Sequence, residues 1–262
     1  MPNISTRSFC QTSQEHLTPP VSGPNFEYPP FQRVGYTLLM AYETPEFHPA
    51  FEEYCEAIFE LAEDDVDIIQ ARIAERLDVS RPAVSEMIRK MEREGLVGVK
   101  GSDISLTPEG QQLATKVVRR HRLAERFLTD VLGLSWSQAH HEAGRWEHVI
   151  SPDVEAALVR IMEDPTTCPH GNPIPGAGYE EPERSAALQD IETGNGFRVE
   201  RIPEELEYRD GMLEFLEGAA IVPGNTGKVT AQSPDGTTTI EINGAHVGVG
   251  EFASSRILVT TA

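Results

Sequence analysis

The residues with the most chemistry to offer lie between His121 and His148, in the stretch HRLAERFLTDVLGLSWSQAHHEAGRWEH. His121 and Glu125 are four apart, one helical turn, so their side chains share a face. His140, Glu147 and His148 also fall within about one turn's width of a face, because seven or eight residues is about two turns. Imidazole nitrogen and carboxylate oxygen, one patch per helix, form the donor set that a divalent transition metal takes. The same residues also describe a charged, solvated helix face, and spacing alone leaves both readings open. A hydrolase acting through metal-bound water is a third class. It finds no HExxH pattern and no three-ligand set with a general base.

The elements that must position these residues are legible on both sides. A helix over about Pro49–Glu63 carries Phe51, Tyr54, Cys55, Ile58, Phe59 and Ala62 at three-four spacing. Glu53 and Glu56 lie off that stripe, three apart and on one face. A second helix is expected at about Ile68–Leu77, then a short turn. Ser80 is placed as the N-cap and Pro82 in the first turn of a third helix running to Glu94, with Gly95 closing it. Two short helices joined by such a turn make a helix-turn-helix. Leu96, Val97 and Val99, then GSD, then Ile104 and Leu106 read as a hairpin, the wing of a winged helix. A long helix follows over about Pro108–Leu132, then one capped by Ser135 or Ser137 and running to about Ile150, then one from Ser151 to about Glu163. From Pro165 to Gly196 the sequence reads as loop and linker. Beyond Phe197, GKVTAQ, TTTIEI, HVGVG and RILVTT separated by glycine turns read as short strands of a small β-barrel, and DGMLEFL as a helical turn before them.

Composition bounds the function. No run of about 18 apolar residues spans a membrane, and the opening MPNISTRSFCQTSQEHLTPP has no apolar leader. Three dispersed cysteines, Cys10, Cys55 and Cys168, suit a reducing cytoplasm rather than a disulfide framework. A net charge of −20 argues against a generic nucleic-acid binder. The segment Val66–Arg126 is nevertheless weakly basic within that acidic chain. Residues 1–47, rich in Pro, Ser and Thr, read as a disordered or loosely packed extension.

The order of ARIAERLDVSRPAVSEMIRKMEREGLV, HRLAERFLTDVLGL, HHEAGRWEHVISPDVE and GNPIPG resembles the diphtheria toxin repressor family of metal-activated transcriptional repressors. The resemblance is strong over about Phe51–Gly176 and weaker over Phe197–Ala262. It implies a mainly α fold with a small β domain: a winged helix-turn-helix DNA-binding domain (48–107), a helical metal-binding and dimerisation domain (108–176), a linker (177–196) and a C-terminal SH3-like β-barrel (197–262). It implies a cytoplasmic homodimer that binds double-stranded DNA at a palindromic operator and controls metal-uptake genes in response to Mn²⁺ or Fe²⁺. The rival within the winged-helix class is a regulator of a small organic ligand, its His/Glu cluster merely structural.

By motif, the resemblance assigns His121, Glu125 and His140 to an ancillary metal site, with acidic help from EELEYRDG, where Glu207 and Asp210 stand. It assigns Glu147, His148, a first-helix residue and the position of Gly144 to a primary site. The iron-type branch has Met on the first helix and Cys at the Gly144 position. Glu53 and Glu56 here resemble instead the paired acids of the manganese branch, although that branch has Glu where Gly144 stands. At Gly144 only a backbone carbonyl is left to ligate. Carboxylate, imidazole and carbonyl donors suit Mn²⁺ better than thioether or thiolate do, so Mn²⁺ is expected over Fe²⁺. Cys168 and His170, in CPHG, read as a structural loop pair, and His141 as a surface residue or a neighbour of the ligands. For DNA, the N-terminal end of the third helix offers Ser80, Arg81, Pro82, Ala83, Ser85 and Glu86 to the major groove. Arg89, Lys90, Arg93 and, on the wing, Lys100 are placed for phosphates.

Overall fold

The computed structural model describes residues 49–261, so the extension expected over 1–47 lies outside the described residues. Helix α1 spans Pro49–Glu63, α2 Gln70–Arg76 and α3 Arg81–Arg93. The Ser80 side chain accepts from the Ala83 N–H and Pro82 sits in the first turn of α3, as the capping pattern requires. Gly95, at φ +75°, turns the chain out of α3 into the hairpin of β1 (Val97–Lys100) and β2 (Asp103–Leu106). Phe51, Ile58, Ile73, Val84, Ile88, Met91 and Ile104 pack one core beneath this winged helix.

Helix α4, Pro108–Asp130, is the strut of the molecule. At about 1.5 Å per residue it is about 35 Å long. Leu113 and Ala114 at its start belong to the winged-helix core. Leu123, Ala124 and Leu128 near its end belong to a second core with α5 (Trp136–Trp146) and α6 (Pro152–Ile161). Its entry is tight: a Cβ at Gly110 would collide with the Leu96 carbonyl oxygen. α5 stops at Trp146, four residues short of the expected end. Both Val149 and Ile150 N–H groups fold back to the Trp146 carbonyl, and the Ser151 cap then starts α6.

The third core belongs to the C-terminal part. Strands β3 (Ser185–Ala187), β4 (Gly196–Arg201), β5 (Thr226–Gln232), β6 (Thr238–Ile242), β7 (Ala245–Val249) and β8 (Leu258–Thr261) form one antiparallel sheet in the order β3-β8-β4-β5-β6-β7. The SH3-like character holds, but the expected barrel is an open sheet. β3 is only three residues long and β7 runs directly into the short helix α9 (Glu251–Ser254), so neither edge meets a closing partner among the described residues. β3 lies inside the stretch read as linker. Ser185–Ala187 gains its extended form by pairing with Leu258–Thr260, a long-range contact without local signal. Two short helices, α7 (Glu204–Glu207) and α8 (Met212–Gly218), connect β4 to β5. Trp136 of α5 is buried in this third core and so fastens the sheet to the helices.

Candidate metal centre

Four glutamates of α1, Glu52, Glu56, Glu60 and Glu63, follow a helical face, and the first three are buried. That face meets α4 and the end of α5. His121 on α4 brings Nδ1 to 2.5 Å from Glu147 Oε2 and to 3.9 Å from Glu56 Oε1. His148, just past the end of α5, stands with Nε2 3.2 Å from Glu147 Oε1 and 3.3 Å from Glu53 Oε1. Its Nδ1 lies 2.7 Å from Glu52 Oε2. Glu56, His121 and Glu147 have ligand atoms within 4.8 Å of one another. Glu53 is exposed at the rim of the group rather than inside it. Gly144 contributes no side chain, and an added Cβ would have nothing within 4 Å.

A second group lies on the other side of the same imidazole. His121 Nε2 is 3.2 Å from Glu125 Oε1, which is also 2.9 Å from His140 Nδ1. His140 Nδ1 lies 3.2 Å from Glu207 Oε2. His170 Nδ1 lies 2.7 Å from that Glu207 oxygen and 3.5 Å from Glu125 Oε1. Cys168, fully buried, converges on Glu125 and His170 within 4.8 Å, and Glu204 converges likewise on His140 and Glu207. The CPHG pair therefore departs from the structural reading given above: both side chains are buried and converge on the carboxylates and imidazoles of this group. The sequence signal was their separation by two residues before a Gly-Asn-Pro turn. Without the position of Glu125 it was no different from any loop pair. Asp210 behaves oppositely. It is exposed and belongs to none of these groups, because the single turn of α7 places Glu204 and Glu207, three apart, on the inward face.

The electrostatics follow from crowding acids and imidazoles out of water. Burial, reinforced by Glu147 and Glu60, pushes the Glu56 carboxyl well above the usual range. Burial works against a charged His121, yet Glu125 and Glu147 overcome it and hold the imidazole well above the ordinary histidine value. The same contest ends with His140 raised to about 9 by Glu125 and Glu207, and His148 to about 10 by Glu52 and Glu53. Burial and the Glu125 charge raise the Cys168 thiol to about 11. Protons thus occupy the donors from which a cation would displace them.

These residues fit a divalent cation on a second count. Glu56 Oε1, His121 Nε2, Glu125 Oε2, both His170 nitrogens and Glu207 Oε2 are buried without a hydrogen-bond partner. His170 Nδ1 and Glu207 Oε2 approach to 2.7 Å without hydrogen-bond geometry. Orphaned buried polar atoms are costly, and lone pairs converging on a common point are what a bound cation satisfies. Both nitrogen and oxygen donors are present in each group, with sulfur added only in the second.

The groups are tied to a buried ion network. Arg122, with no exposed side-chain surface, donates to both carboxylate oxygens of Glu63 at 3.0 and 2.6 Å and to Glu204 Oε1 at 3.0 Å. Arg201 donates to Glu63 at 3.0 Å and Asp64 at 2.9 Å. Arg76 of α2 donates to Glu60 at 2.8 Å and lies over the Tyr208 ring. Sequence reading named none of these residues. Together they join the winged helix, α4 and the sheet region.

At the surface of the winged helix, Ser80, Arg81, Pro82, Ala83, Glu86, Arg89, Lys90, Arg93 and Lys100 are exposed and Ser85 is half-buried. Lys90 packs its ammonium 5.1 Å from the Phe51 ring centre. The DNA-reading end predicted for the third helix is therefore presented outward.

Two family models cover most of the helical region. Residues 46–103 match the iron-dependent repressor N-terminal DNA-binding domain, and 107–176 match the iron-dependent repressor metal-binding and dimerisation domain. The iron-dependent repressor IdeR of Mycobacterium tuberculosis is 42% identical over 205 residues, covering 74% of this chain and 88% of that protein. The chain belongs to the diphtheria toxin repressor family. Within this family of metal-dependent transcriptional repressors, the diphtheria toxin repressor of Corynebacterium diphtheriae is 54% identical over 127 residues, covering 48% of this chain and 56% of that protein. A manganese-dependent transcriptional repressor in complex with manganese superposes with a TM-score of 0.72 at 31% identity, covering 81% of this chain and all of that one. Membership favours the metal-dependent reading over a regulator of small organic ligands and makes Mn²⁺ or Fe²⁺ the metal. No helix of the described residues is long and apolar enough to cross a membrane.

Proposed function

We propose that this repressor senses Mn²⁺, in preference to Fe²⁺, and silences metal-uptake genes in the cytoplasm as a homodimer on a palindromic operator. Glu53, Glu56, Glu147 and His148, with His121 shared, would hold one cation; Glu125, His140, Cys168, His170 and Glu207 would hold another. The backbone carbonyl of Gly144 remains a candidate ligand and Asp210 is given up. The observation that carries this reading is the convergence of α1 glutamates with Glu147 and His148, which are about ninety residues away in sequence. A bound cation supplies positive charge that holds those carboxylates together.

The chain's own residues then do the rest. α1 is packed into the winged-helix core, so fixing Glu53 and Glu56 against α4 and α5 fixes α3 relative to the body. Differential binding to that arrangement is what makes a cation an activator. Arg81, Pro82, Ala83, Ser85 and Glu86 would face base edges; Ser80 serves as the helix cap, and Arg89, Lys90, Arg93 and Lys100 would meet phosphates. Exposed Val149, Val154 and Ile161, around α6, suit the dimer contact. The domains would divide at 48–107, 108–176 and 197–262, with 177–196 as a linker whose β3 joins the sheet. The donors at the first group are carboxylate and imidazole, which supports Mn²⁺.

Operator binding measured with and without chelator tests the reading. Tight binding that collapses on chelation and returns with Mn²⁺, and that is lost in the double variant Glu147→Ala/His148→Ala, is expected. DNA affinity indifferent to chelator and to that variant would overturn it. Strong activation by Fe²⁺ under anaerobic conditions without a Mn²⁺ response would overturn the metal preference.

A further inference from the structure

We propose that Tyr208 and Arg209 are positioning residues for DNA binding, which carry the state of the second metal group directly to α2 of the helix-turn-helix. This rests on the assignment of His140 and Glu207 to that group. α7 is a single turn, and its last residue, Glu207, faces inward, 3.2 Å from His140 and 2.7 Å from His170. The next two residues leave the group and meet the winged helix.

The Tyr208 ring touches both a ligand and α2. It meets the His140 imidazole in a T-shaped contact, with ring centres 5.2 Å apart. The Arg76 guanidinium of α2 lies 4.4 Å from its centre. Its hydroxyl stands 3.4 Å from Glu60 Oε2, the oxygen to which Arg76 donates at 2.8 Å. Arg209 donates to Glu75 Oε1 of α2 at 3.1 Å, and its guanidinium is braced 4.8 Å from the ring centre of Phe252 in the sheet region. The Glu205 N–H donates to Asp64 at 2.9 Å, so the same turn also holds the chain where it leaves α1. α2 moves with α3, because Ile73 and Ala74 share one core with Val84 and Ile88.

Loading the second group therefore reaches α3 by a route separate from α1. His140 and His170 stand between Glu125 and Glu207 by themselves, so the turn stays docked without a cation. What coordination adds is a fixed placement of His140 and Glu207. Tyr208 packs against the first and follows the second in the chain, so its placement is fixed with theirs. Operator binding requires one placement of α2 and α3. It is thus coupled to occupation of the second group, and each tightens the other by the same factor.

The test uses the full chain and two sets of variants, read by operator affinity at saturating Mn²⁺ and by calorimetric Mn²⁺ titration. Tyr208→Leu and Glu207→Ala should each weaken operator binding about fivefold or more. The double variant should lose little beyond the larger single loss, and Tyr208→Phe, which keeps the ring, should restore most of the affinity. Losses that multiply in the double variant overturn the inference alone. Should Tyr208→Leu not fold, the pair Arg209 and Glu75 decides, since side chains 45% and 49% exposed contribute little to stability. Arg209→Glu should weaken operator binding, and adding Glu75→Arg should recover more than Glu75→Arg gains in the unaltered protein. Strictly additive effects of the two changes overturn the inference. Mn²⁺ affinities in Glu207→Ala equal to those of the unaltered protein overturn the ligand assignment and this inference with it.

Discussion

His148 Nδ1 and Glu52 Oε2 lie 2.7 Å apart, across 96 positions of sequence. This bond settles which face of the imidazole looks where. Nδ1–H donates to Glu52, so Nε2 is left toward Glu53 and Glu147. A carboxylate behind a ligating histidine fixes its tautomer and raises its basicity, and losing such a partner costs about 10- to 100-fold in metal affinity. Glu52→Ala should weaken Mn²⁺ binding by that much, and Glu52→Gln, which still accepts from Nδ1–H, should restore most of it. Calorimetric titration of the three proteins checks this. Equal affinities throughout would remove Glu52 from the positioning of His148.

The histidine pKa values make the metal-free protein sensitive to alkali. His140 is held at about 9 and His148 at about 10, both above the unfolded value of about 6.5. Groups raised on folding stabilise fully below their unfolded pKa, and that contribution disappears as pH rises through the folded value. The chelated protein should therefore melt at progressively lower temperature between about pH 6.5 and 10. Mn²⁺ competes with those protons, so the increment in melting temperature on adding it should grow over the same window. Scanning calorimetry at several pH values reads both. A chelated protein whose melting temperature is flat or rises across the window would contradict the assignment.

Arg122 is a fully buried charge, and it joins Glu63 of α1 to Glu204 of α7. Removing one partner of a buried ion pair leaves the others uncompensated, at about 3–5 kcal/mol. Arg122→Ala should lose stability on that scale. Arg122→Lys should recover only part of it, because an ammonium cannot donate two parallel bonds to Glu63. Urea unfolding of the apo proteins decides the matter, and a loss under about 1 kcal/mol would show that the network is dispensable.

What the sequence disclosed depended on how local the signal was. α1 emerged with its observed bounds because Pro49–Glu63 carries an uninterrupted apolar stripe. The cap at Ser80 and the helix start at Ser151 were readable because capping is a contact over three residues. His121, Glu125, His140, Glu147 and His148 were found because helical spacing groups them, and the family resemblance then divided them. Glu52 and Glu60 were passed over although they stand four residues either side of Glu56, since acids four apart on a helix ordinarily face solvent. Only the docking of α4 and α5 makes that face an interior. Cys168 and His170 were read as a loop pair for the same reason: Glu125 is more than forty residues away, and nothing in a Pro/Gly loop states where it will dock; Glu204 was passed over because His140 and Arg122, which it meets, lie on distant helices. β3 and the open edge of the sheet are likewise properties of pairing between distant strands.

The acidic total of the chain makes its DNA contacts unusually accountable. Net charge is −20, so affinity must come from a few cations on one face. Arg89 and Arg93 are four apart on exposed α3, and neither is in an ion pair among those the described residues show. Each phosphate contact releases counterions and contributes about one unit to the slope of log affinity against log salt. Arg89→Ala and Arg93→Ala should each weaken metal-activated binding to operator and to unrelated duplex by similar factors, with the slope shallower by about one. Glu86, also exposed on α3, has only acceptors to offer, so it gains from cytosine N4 or adenine N6 and is repelled by phosphate. Glu86→Gln should therefore raise affinity for unrelated duplex while changing the base preferred at one position of each half-site. Fluorescence anisotropy across a salt series, with operator and unrelated duplexes side by side, separates the two behaviours. Arginine variants that alter base preference but not the slope would show that Arg89 and Arg93 read sequence instead.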